Sequence, residues 1–483
     1  MRAGRAVGSV HFVRGPVASR PRTLGYGGPV PATPDRAAVP RHDQFTFRAN
    51  AGAGRHGWLR LTPAYGVRLV REALADLPRG AVVTDPFSGT GTTPLAAAEA
   101  GLTGQAVDLN PFLVGLARAK VAHYDAGEIA AARDAAQEVV AGAADGLARF
   151  ARDGGAADGA RGGDDGAQRP WWTPTMHRID RWWSPGTLDA LAALRAGIDS
   201  LDPTTATLLE VALCRTVIAR SAAAFNHQSM SFAAGPDAAP GVAPGAAPGA
   251  APDPTAADRA AALAHFADQV APVLDSAAES LPGTATIAFG DSRDALPTLV
   301  DAGEFRPADL LFTSPPYANR MSYVRELRPY MYWTRHLSTG AEAGELDWRA
   351  IGGTWGTATG RLGTWEPVTD TPVDAAIAEV GARIVRDGGK NGPLLATYVH
   401  RYHHDMWLHL HGAVRVVRSG GRLVYVVGNS TFFGHEVPVH EWYAAMLQAL
   451  GLRDVGVKVV RKRSSKKALF EYAVSATSPF SDR

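Results

Sequence analysis

The chain has 483 residues, 46% of them hydrophobic, which predicts a packed core and more than one structural unit. Its 49 lysine and arginine residues nearly balance 47 aspartate and glutamate residues, so the net charge of +2 predicts no class of partner. A single cysteine, Cys214, excludes an internal disulfide, and no apolar run approaches the roughly 18–20 residues of a membrane span, so we expect a cytoplasmic protein without membrane contact.

The N-terminal part of the chain shows little periodicity. Residues 1–45 contain scattered arginine, proline and glycine, and we predict that they are mostly disordered. Ordered structure is expected from about Phe45 onward. Val67, Val70 and Leu74 are spaced by three and four residues, which predicts a helix over residues 63–77.

A glycine-rich turn follows the first predicted strand. The apolar run 81–84 predicts a buried strand, turn 85–93 comes directly after it, and a helix is predicted over 94–100. This arrangement brings a ligand against backbone N–H groups at a helix N-terminus. A second strand ends in Asp108, about 20 residues after the turn, where a carboxylate can meet a nucleoside ribose. Because the turn contains neither a Gly-Lys-Ser/Thr sequence nor a G-x-G-x-x-G sequence, we expect a nucleoside cofactor without a pyrophosphate.

A long segment then interrupts the strand pattern. Residues 126–283 are predicted to form a mainly helical insertion. Within it, the Gly/Asp/Ala-rich stretch 153–168 and the Pro/Ala/Gly-rich stretch 236–254 are predicted to be flexible. The polar cluster Asn226–Ser231 is either a nucleic-acid contact or a packed turn.

The stretch Ser314-Pro315-Pro316-Tyr317 carries the most chemistry in the sequence. It follows a predicted strand over 308–313, and two prolines without N–H groups must end that strand. A hydroxyl, free carbonyl groups and an aromatic ring then lie together at a strand's carboxyl end, where open α/β sheets bind ligands. An ordinary Pro-Pro loop is the alternative interpretation.

The C-terminal third contains further candidate residues. Asp291 follows a strand over 284–289 and is either a ligand contact or a helix cap. Residues 337–395 are predicted to be irregular. Histidines on the next helix, including His400 and His404, are spaced as metal ligands could be, but no H-E-x-x-H sequence accompanies them, and no metal is predicted.

Two motifs together resemble those of the S-adenosylmethionine-dependent DNA amino-methyltransferases, which methylate cytosine N4 or adenine N6. Asp85–Thr93 reads Asp-Pro-Phe-Ser-Gly-Thr-Gly-Thr-Thr and matches the family's cofactor motif D-P-F-x-G-x-G-T-T. Ser314–Tyr317 matches the family's catalytic motif S/N/D-P-P-Y/F/W. The resemblance covers roughly residues 46–125, 284–336 and 396–478, and nothing in the inserts is recognisable.

The resemblance implies a Rossmann-like class I methyltransferase sheet, mostly parallel with an antiparallel last strand, and a large mainly helical insertion. The implied organisation, after the N-terminal segment 1–45, is a cofactor half (46–125), the helical insertion as candidate target-recognition region (126–283), a catalytic part (284–336), an irregular insertion (337–395) and the last part of the methyltransferase domain (396–483).

The resemblance also implies residue roles. Ser314 Oγ and the Pro315 carbonyl would accept hydrogen bonds from the target amine, Pro316 would fix the turn, and Tyr317 would stack on an extruded base. The residues implied to bind S-adenosyl-L-methionine are Asp85, Phe87, Ser88, Gly89, Gly91, Thr92, Thr93, Asp108, Asn110 and Asp291. The basic residues expected to contact nucleic acid are Arg320, Arg461, Lys462, Arg463, Lys466 and Lys467, although a merely solvated hairpin would also explain the last five.

The implied function is site-specific DNA methylation in a restriction-modification system, with double-stranded DNA as partner and a cognate restriction endonuclease as a further candidate partner. Serine at position 314 favours cytosine N4 over adenine N6. Methylation at cytosine C5 is not expected, because Cys214 does not follow a proline. An RNA base amino-methyltransferase and an inactive relative that only binds nucleic acid are the alternatives. The sequence predicts neither the recognition site nor the oligomeric state.

Overall fold

The computed structural model describes residues 43–59, 65–153, 169–226, 229–232, 253–463 and 468–479. The predicted disorder of 1–45 and the predicted flexibility of 153–168 and 236–254 therefore fall almost entirely outside the described residues, as do Lys466 and Lys467.

Helices and strands are numbered in chain order. The α-helices are α1 (Val67–Leu74), α2 (Thr92–Glu99), α3 (Pro111–Val121), α4 (Ala126–Arg152), α5 (Pro185–Ile198), α6 (Pro203–Ala219), α7 (Pro254–Ala277), α8 (Ala295–Asp301), α9 (Tyr323–Trp333), α10 (Gly340–Arg349), α11 (Thr357–Leu362), α12 (Asp374–Asp387), α13 (Gly392–Arg415) and α14 (Val439–Ala449). The strands are β1 (Val82–Asp85), β2 (Thr103–Asp108), β3 (Ala223–Asn226), β4 (Ser229–Phe232), β5 (Thr284–Phe289), β6 (Ala308–Thr313), β7 (Val417–Gly428), β8 (Ser430–Phe432), β9 (His435–Val437), β10 (Arg453–Lys462) and β11 (Phe470–Thr477). Among the described residues, no helix is long and apolar enough to cross a membrane.

A seven-stranded sheet in the order β10-β11-β7-β6-β1-β2-β5 forms the centre of the molecule. The pairs β1–β2, β2–β5, β1–β6 and β6–β7 are parallel, whereas β11 is antiparallel to both β7 and β10. The structure thus confirms the predicted Rossmann-like sheet with an antiparallel last strand. The chain runs from β1 outward through β2 to β5 and then returns to β6 on the other side of β1. Open α/β sheets bind ligands where the strand order reverses in this way.

Small residues allow α2 to pack closely on the sheet. Ala96, Ala97 and Ala98 are buried in α2. A Cβ atom on Gly104 of β2 would lie 2.8 Å from the Pro94 carbonyl oxygen of that helix. The close packing brings the N-terminus of α2 to the carboxyl ends of β1 and β2.

The insertion consists mainly of α4, α5, α6 and α7, which pack on one another, so its predicted helical character agrees with the structure. Helix α6 ends at Ala219, and the β3–β4 hairpin follows. Asn226–Ser231 lies across that hairpin, and residues 227 and 228 are outside the described residues. The guanidinium of buried Arg55 joins the insertion to the sheet domain by donating to backbone carbonyls of Lys120, Ala122, Ser276, Ala277 and Glu279.

Residues 337–395, predicted to be irregular, instead contain α10, α11 and α12. Helix α10 begins with a capping box, in which Thr339 Oγ1 accepts from Glu342 N and the Glu342 side chain accepts from Thr339 N. Helix α12 buries Ile377, Val380 and Ile384, whose spacing by three and four residues is typical of an amphipathic helix. Both signals are present in the sequence, but the abundant glycines of the segment favoured the interpretation as irregular structure.

Candidate active site

A cavity opens at the carboxyl ends of β1, β2, β5 and β6. Its empty volume, which includes the open space at the entrance, is about 1010 Å³. Leu346, Arg349, Ala350 and Ile351, from the end of α10 and the residues after it, form part of its wall. The predicted site residues that line this cavity are Phe87, Ser88, Gly89, Thr92, Asp108, Asn110, Asp291, Ser314, Pro315 and Pro316. Asp85, Gly91, Thr93 and Tyr317 are not among its lining residues.

Asp85 lies beneath the cavity and organises its floor. Its side chain is fully buried and accepts hydrogen bonds from Phe87 N at 3.0 Å, Thr313 Oγ1 at 2.6 Å and Tyr65 OH at 3.1 Å. Burial raises the pKa of the carboxyl group, and the donated hydrogen bonds oppose that rise. The sequence placed Asp85 in contact with the cofactor; in the structure its oxygen atoms hold the turn and the end of β6.

Two glycines shape the turn after β1. Gly89 and Gly91 have φ angles of 52° and 80°, in the left-handed region that favours glycine. Gly91 is also crowded, because a Cβ atom there would lie 2.9 Å from Ala117 Cβ. The Ser88 hydroxyl lines the cavity, is buried, and has no hydrogen-bond partner among the described residues. A bound ligand with polar groups would satisfy this hydroxyl and the first N–H groups of α2.

Asp108 faces the cavity from the end of β2. Its Oδ2 accepts from Gly89 N at 2.8 Å and its Oδ1 accepts from Asn110 N at 2.8 Å. Burial raises the pKa of this carboxyl group to about 7, although both backbone donors lower it. The Asn110 side chain accepts from Phe112 N and Leu113 N and therefore caps α3.

Asp291 reaches the cavity from the loop after β5. Its carboxylate accepts from Arg293 N at 3.1 Å and from Arg293 Nε at 2.9 Å, and the same guanidinium contacts Asp405 at 3.0 Å. The alternative role as a helix cap is not seen for this side chain, because the N-cap residue of α8 is Asp294. Arg293 instead fixes the orientation of the Asp291 carboxylate.

The Ser314–Tyr317 turn presents two hydrogen-bond acceptors to the cavity. Ser314 Oγ donates its proton to the Val426 carbonyl of β7 at 3.0 Å and lies 3.5 Å from Tyr317 OH; a hydroxyl oxygen has two lone pairs, so it can still accept from a bound group. Pro315 lines the cavity, and its carbonyl receives no hydrogen bond from any described residue. The next carbonyl, that of Pro316, accepts from Tyr402 OH at 2.7 Å, which fixes the turn.

Tyr317 packs beside the turn, outside the cavity lining. A Cβ atom on Gly428 would lie 3.1 Å from two of its ring carbons, so a larger residue there would press on the Tyr317 ring. The Arg463 guanidinium lies 5.4 Å from the centre of the Tyr317 ring, within cation–π range, and donates to the Asn429 carbonyl at 3.2 Å. The structure thus brings one residue of the predicted basic patch directly to the Ser314–Tyr317 turn.

The other predicted basic residues are separated from one another. Arg461 forms a bidentate pair with Glu471, with Nε at 2.7 Å from a carboxylate oxygen, so its charge is used within the hairpin. Lys462 is half-buried without an ion-pair partner among the described residues. Arg320 is exposed, has a φ angle of 61°, and donates its backbone N–H to Tyr398 OH at 3.0 Å.

Sequence reasoning missed the residues that support the turn. Tyr398 and Tyr402 are four residues apart on α13 and hold Arg320 N and the Pro316 carbonyl, respectively. Their spacing is a helical signal that could have been noticed. Tyr323 and the cavity-lining residues at the end of α10 were missed, because only tertiary folding brings them to the cavity.

The α13 histidines serve packing and hydrogen bonding. His403 Nδ1 contacts the Val399 carbonyl at 2.8 Å, and His409 lies between the Ser292 carbonyl and the Tyr425 hydroxyl. Within the described residues, no group of three or more His, Cys, Asp or Glu side chains could hold a metal ion.

Comparison with known proteins gives two structural similarities. No protein-family model and no curated protein matches the chain. Two solved structures of the rRNA methyltransferase aviRa from Streptomyces viridochromogenes are each 12% identical to it, with a TM-score of 0.25. One similarity covers 86% of this chain and 86% of that chain, and the other covers 92% and 96%. A TM-score this low supports no inference about function.

Proposed function

We propose that the chain transfers a methyl group from S-adenosyl-L-methionine to an exocyclic amine of a nucleic-acid base. The observation that carries this proposal is the pair of acceptors supplied by Ser314 and Pro315, two residues that line the cavity at the carboxyl ends of β1, β2, β5 and β6. The agreement of both sequence motifs with the amino-methyltransferase family supports it.

The cavity residues fit the cofactor. Asp108 is placed to accept from ribose hydroxyls, and the Ser88 hydroxyl with the N-terminus of α2 can bind the polar amino-acid portion. Leu113 and Val324 provide apolar wall for the adenine ring. S-adenosylmethionine supplies an electrophilic methyl group when bound.

The catalytic turn makes an amine nucleophilic by accepting its hydrogen atoms. A base amine is a weak nucleophile, because its lone pair is delocalised into the ring. Ser314 Oγ and the Pro315 carbonyl can accept from both N–H groups, which favours a pyramidal nitrogen with an available lone pair. Transfer then needs no covalent intermediate on the chain and depends on positioning. Val426 and Tyr402 supply that positioning by holding the turn.

Cytosine N4 in double-stranded DNA is the proposed target, because serine occupies the first motif position. A base inside a duplex is inaccessible, so it must be extruded into the cavity. The half-exposed Tyr317 ring is a candidate stacking surface beside it. Arg320, Lys462 and Arg463 are proposed to contact phosphates, and a role in restriction-modification belongs to the same proposal.

A second cavity supports nucleic-acid contact by the insertion. It lies between residues 47–59 and helices α6 and α7 and has an empty volume of about 1360 Å³. It shares Thr90 with the first cavity. Its lining includes Arg48, Arg215, His56 and His265 and contains no acidic residue among those described. Burial lowers the pKa of both histidines, so Arg48 and Arg215 supply the positive charge, which suits a phosphate backbone.

The second candidate is methylation of a base amine in RNA. The Pro-Pro-Tyr turn is also found in RNA-guanine and RNA-adenine enzymes, usually after Asp or Asn. The acceptors at Ser314 and Pro315 serve an RNA base equally well, since the amine is chemically the same. Adenine N6 in DNA is a third target with the same geometry at the amine.

Transfer of labelled methyl groups tests the proposal. Purified protein is incubated with labelled cofactor and either duplex DNA or total RNA, and DNA from an expressing host is sequenced for modified bases. We expect label in DNA as N4-methylcytosine, loss of activity in Ser314→Ala, and full activity in the exposed control Ser200→Ala. Label in RNA alone would select the second candidate, and cofactor binding without transfer to either nucleic acid would contradict the enzyme proposal.

A further inference from the structure

Tyr323 lines the cavity beside the catalytic turn. It is the first residue of α9, whose N-cap Ser322 accepts from Arg325 N at 3.1 Å. The Ser322 hydroxyl in turn donates to buried Asp347, which also accepts from Trp355 N at 2.7 Å. The segment that follows α9 therefore fixes the start of the helix, and with it the position of Tyr323.

The Tyr323 hydroxyl accepts one hydrogen bond and has a proton left to donate. Its oxygen accepts a hydrogen bond from Tyr317 N at 3.2 Å, and no described residue accepts its proton. Removal from water raises the pKa of the phenol to about 12, so the hydroxyl stays protonated at neutral pH. The side chain therefore offers a hydrogen-bond donor to whatever occupies the cavity.

This donor completes a pattern with the acceptors of the catalytic turn. The proton of Ser314 is engaged by the Val426 carbonyl, and the Pro315 carbonyl is free. The cavity thus combines two acceptors for an amine with one donor. Cytosine and adenine present the complementary edge, because each has an amine next to an unprotonated ring nitrogen. Uracil and thymine present a carbonyl next to a ring N–H, which is the opposite pattern.

We propose that Tyr323 is a specificity-determining residue that donates its hydroxyl proton to the ring nitrogen next to the target amine. This inference rests on the proposed function. It makes the donor on α9 part of base selection, together with the acceptors at Ser314 and Pro315. An amine without the adjacent acceptor nitrogen would leave the Tyr323 proton unpaired in a buried site, which discriminates strongly.

A chemical double-mutant cycle tests this contact. One change is Tyr323→Phe; the other replaces the ring nitrogen of the target base by C–H, with 3-deazacytosine or 1-deazaadenine in a defined oligonucleotide. We expect each change alone to lower kcat/KM about 10- to 100-fold, since each leaves one hydrogen-bonding group unpaired. Together they should cause no further loss, because both remove the same hydrogen bond.

Controls separate this role from a structural one. Tyr332→Phe alters a buried tyrosine on the same helix that does not line the cavity, and it should leave kcat/KM unchanged. Cofactor affinity and melting temperature should be the same in Tyr323→Phe and the natural protein. If the Tyr323 variant does not fold, the natural protein with the deaza substrate still provides the test.

Each outcome has a definite meaning. Losses that multiply in the combined experiment, or a deaza substrate that reacts as fast as the natural base, would overturn the role of Tyr323 while leaving the proposed function intact. Absence of transfer by the natural protein to every nucleic acid would instead overturn the proposed function, and this inference with it.

Discussion

The Thr313 hydroxyl donates a hydrogen bond to the Asp85 carboxylate across 2.6 Å, and this bond joins the ends of the two central strands β1 and β6. Asp85 begins the glycine turn of the proposed cofactor site, and Thr313 immediately precedes the catalytic turn. Because both residues are fully buried, the bond is shielded from water. The Asp85 carboxylate therefore adds a side-chain link between the two proposed half-sites to the backbone pairing of β1 with β6.

Replacing Thr313 by valine should weaken this junction without changing its shape. The variant leaves a buried carboxylate with one donor fewer, which costs about 1.5–3 kcal/mol for a hydrogen bond to a charged group. We expect a corresponding loss in the free energy of unfolding, measured by chemical denaturation, and weaker cofactor binding. Thr298→Val, on the exposed side of α8, is the matched control and should change stability by less than about 0.5 kcal/mol. Equal stability of the two variants would contradict a bracing role for the bond.

Cofactor binding should depend on pH through Asp108. The pKa of this carboxyl is raised to about 7, and its ionised form is the better acceptor for ribose hydroxyls. Calorimetric affinity for S-adenosylmethionine should therefore rise about tenfold from roughly pH 6 to pH 8. Asp108→Asn should bind more weakly and should lose this dependence. A variant with the same pH profile as the natural protein would assign the effect to another group.

The Asp108 carboxyl should also make the stability of the fold depend on pH. Stability should fall as the pH rises, whereas cofactor affinity should increase. The pKa of Asp108 in the folded chain is above its ordinary value of 3.8, so between these pH values the folded chain binds more protons than the unfolded chain. The stabilising contribution of Asp108 to the free energy of unfolding is therefore present below about pH 4 and is lost as the pH rises to about 7. In the absence of cofactor, the melting temperature of the natural protein relative to Asp108→Asn should fall as the pH rises from roughly 5 to 8.

Tyr402 should affect catalysis more than binding. Its hydroxyl donates to the Pro316 carbonyl at 2.7 Å and lies 2.9 Å from the Tyr443 hydroxyl, which is left to donate to it. Tyr402→Phe releases the catalytic turn, and the loss of about 1 kcal/mol of positioning should lower kcat several-fold with little change in cofactor affinity. Tyr443→Phe preserves the bond to Pro316 and should have a smaller effect on kcat. The reverse ranking of the two variants would exclude this positioning role.

Local sequence signals located the strands that end at the cavity, whereas the direction of the strands in the sheet was implied by the resemblance of two motifs to a known family. Short apolar runs ending in Asp85, Asp108 and Ser314 marked the strands and their carboxyl ends, because strand polarity and turn chemistry are encoded within a few residues. The same signals predicted which turns would meet at the cavity. The segment 337–395 shows the limit, since its glycines concealed helices whose caps and apolar spacing were equally local.

Long-range partners could not be inferred in this way. Nothing in the sequence around Asp85 indicates that Thr313, more than two hundred residues later, would take up one of its oxygen atoms. Likewise, the basic run after β10 gave no sign that Arg461 would pair with Glu471 while Arg463 approaches Tyr317. A basic residue's role depends on which carboxylate the fold brings to it, and that is decided by tertiary packing.

Arg461 and Lys462 should therefore respond differently to loss of charge. Lys462 is proposed to contact a phosphate, so Lys462→Gln should weaken nucleic-acid binding and reduce the slope of log K against log salt by about 1. Arg461→Gln leaves the buried Glu471 carboxylate uncompensated and should destabilise the fold by about 3–5 kcal/mol. Binding titrations at several salt concentrations and thermal melting measure the two effects.

The double variant Arg461→Gln with Glu471→Gln provides the control for the second effect. It removes both charges of the pair, so no uncompensated buried charge remains, and stability should largely return. Its salt slope should match that of the natural protein, because Arg461 is already neutralised by Glu471 in the hairpin. If the double variant regains stability but shows a reduced salt slope, then Arg461 leaves Glu471 to contact phosphate when nucleic acid binds, and the ion pair serves as its resting position.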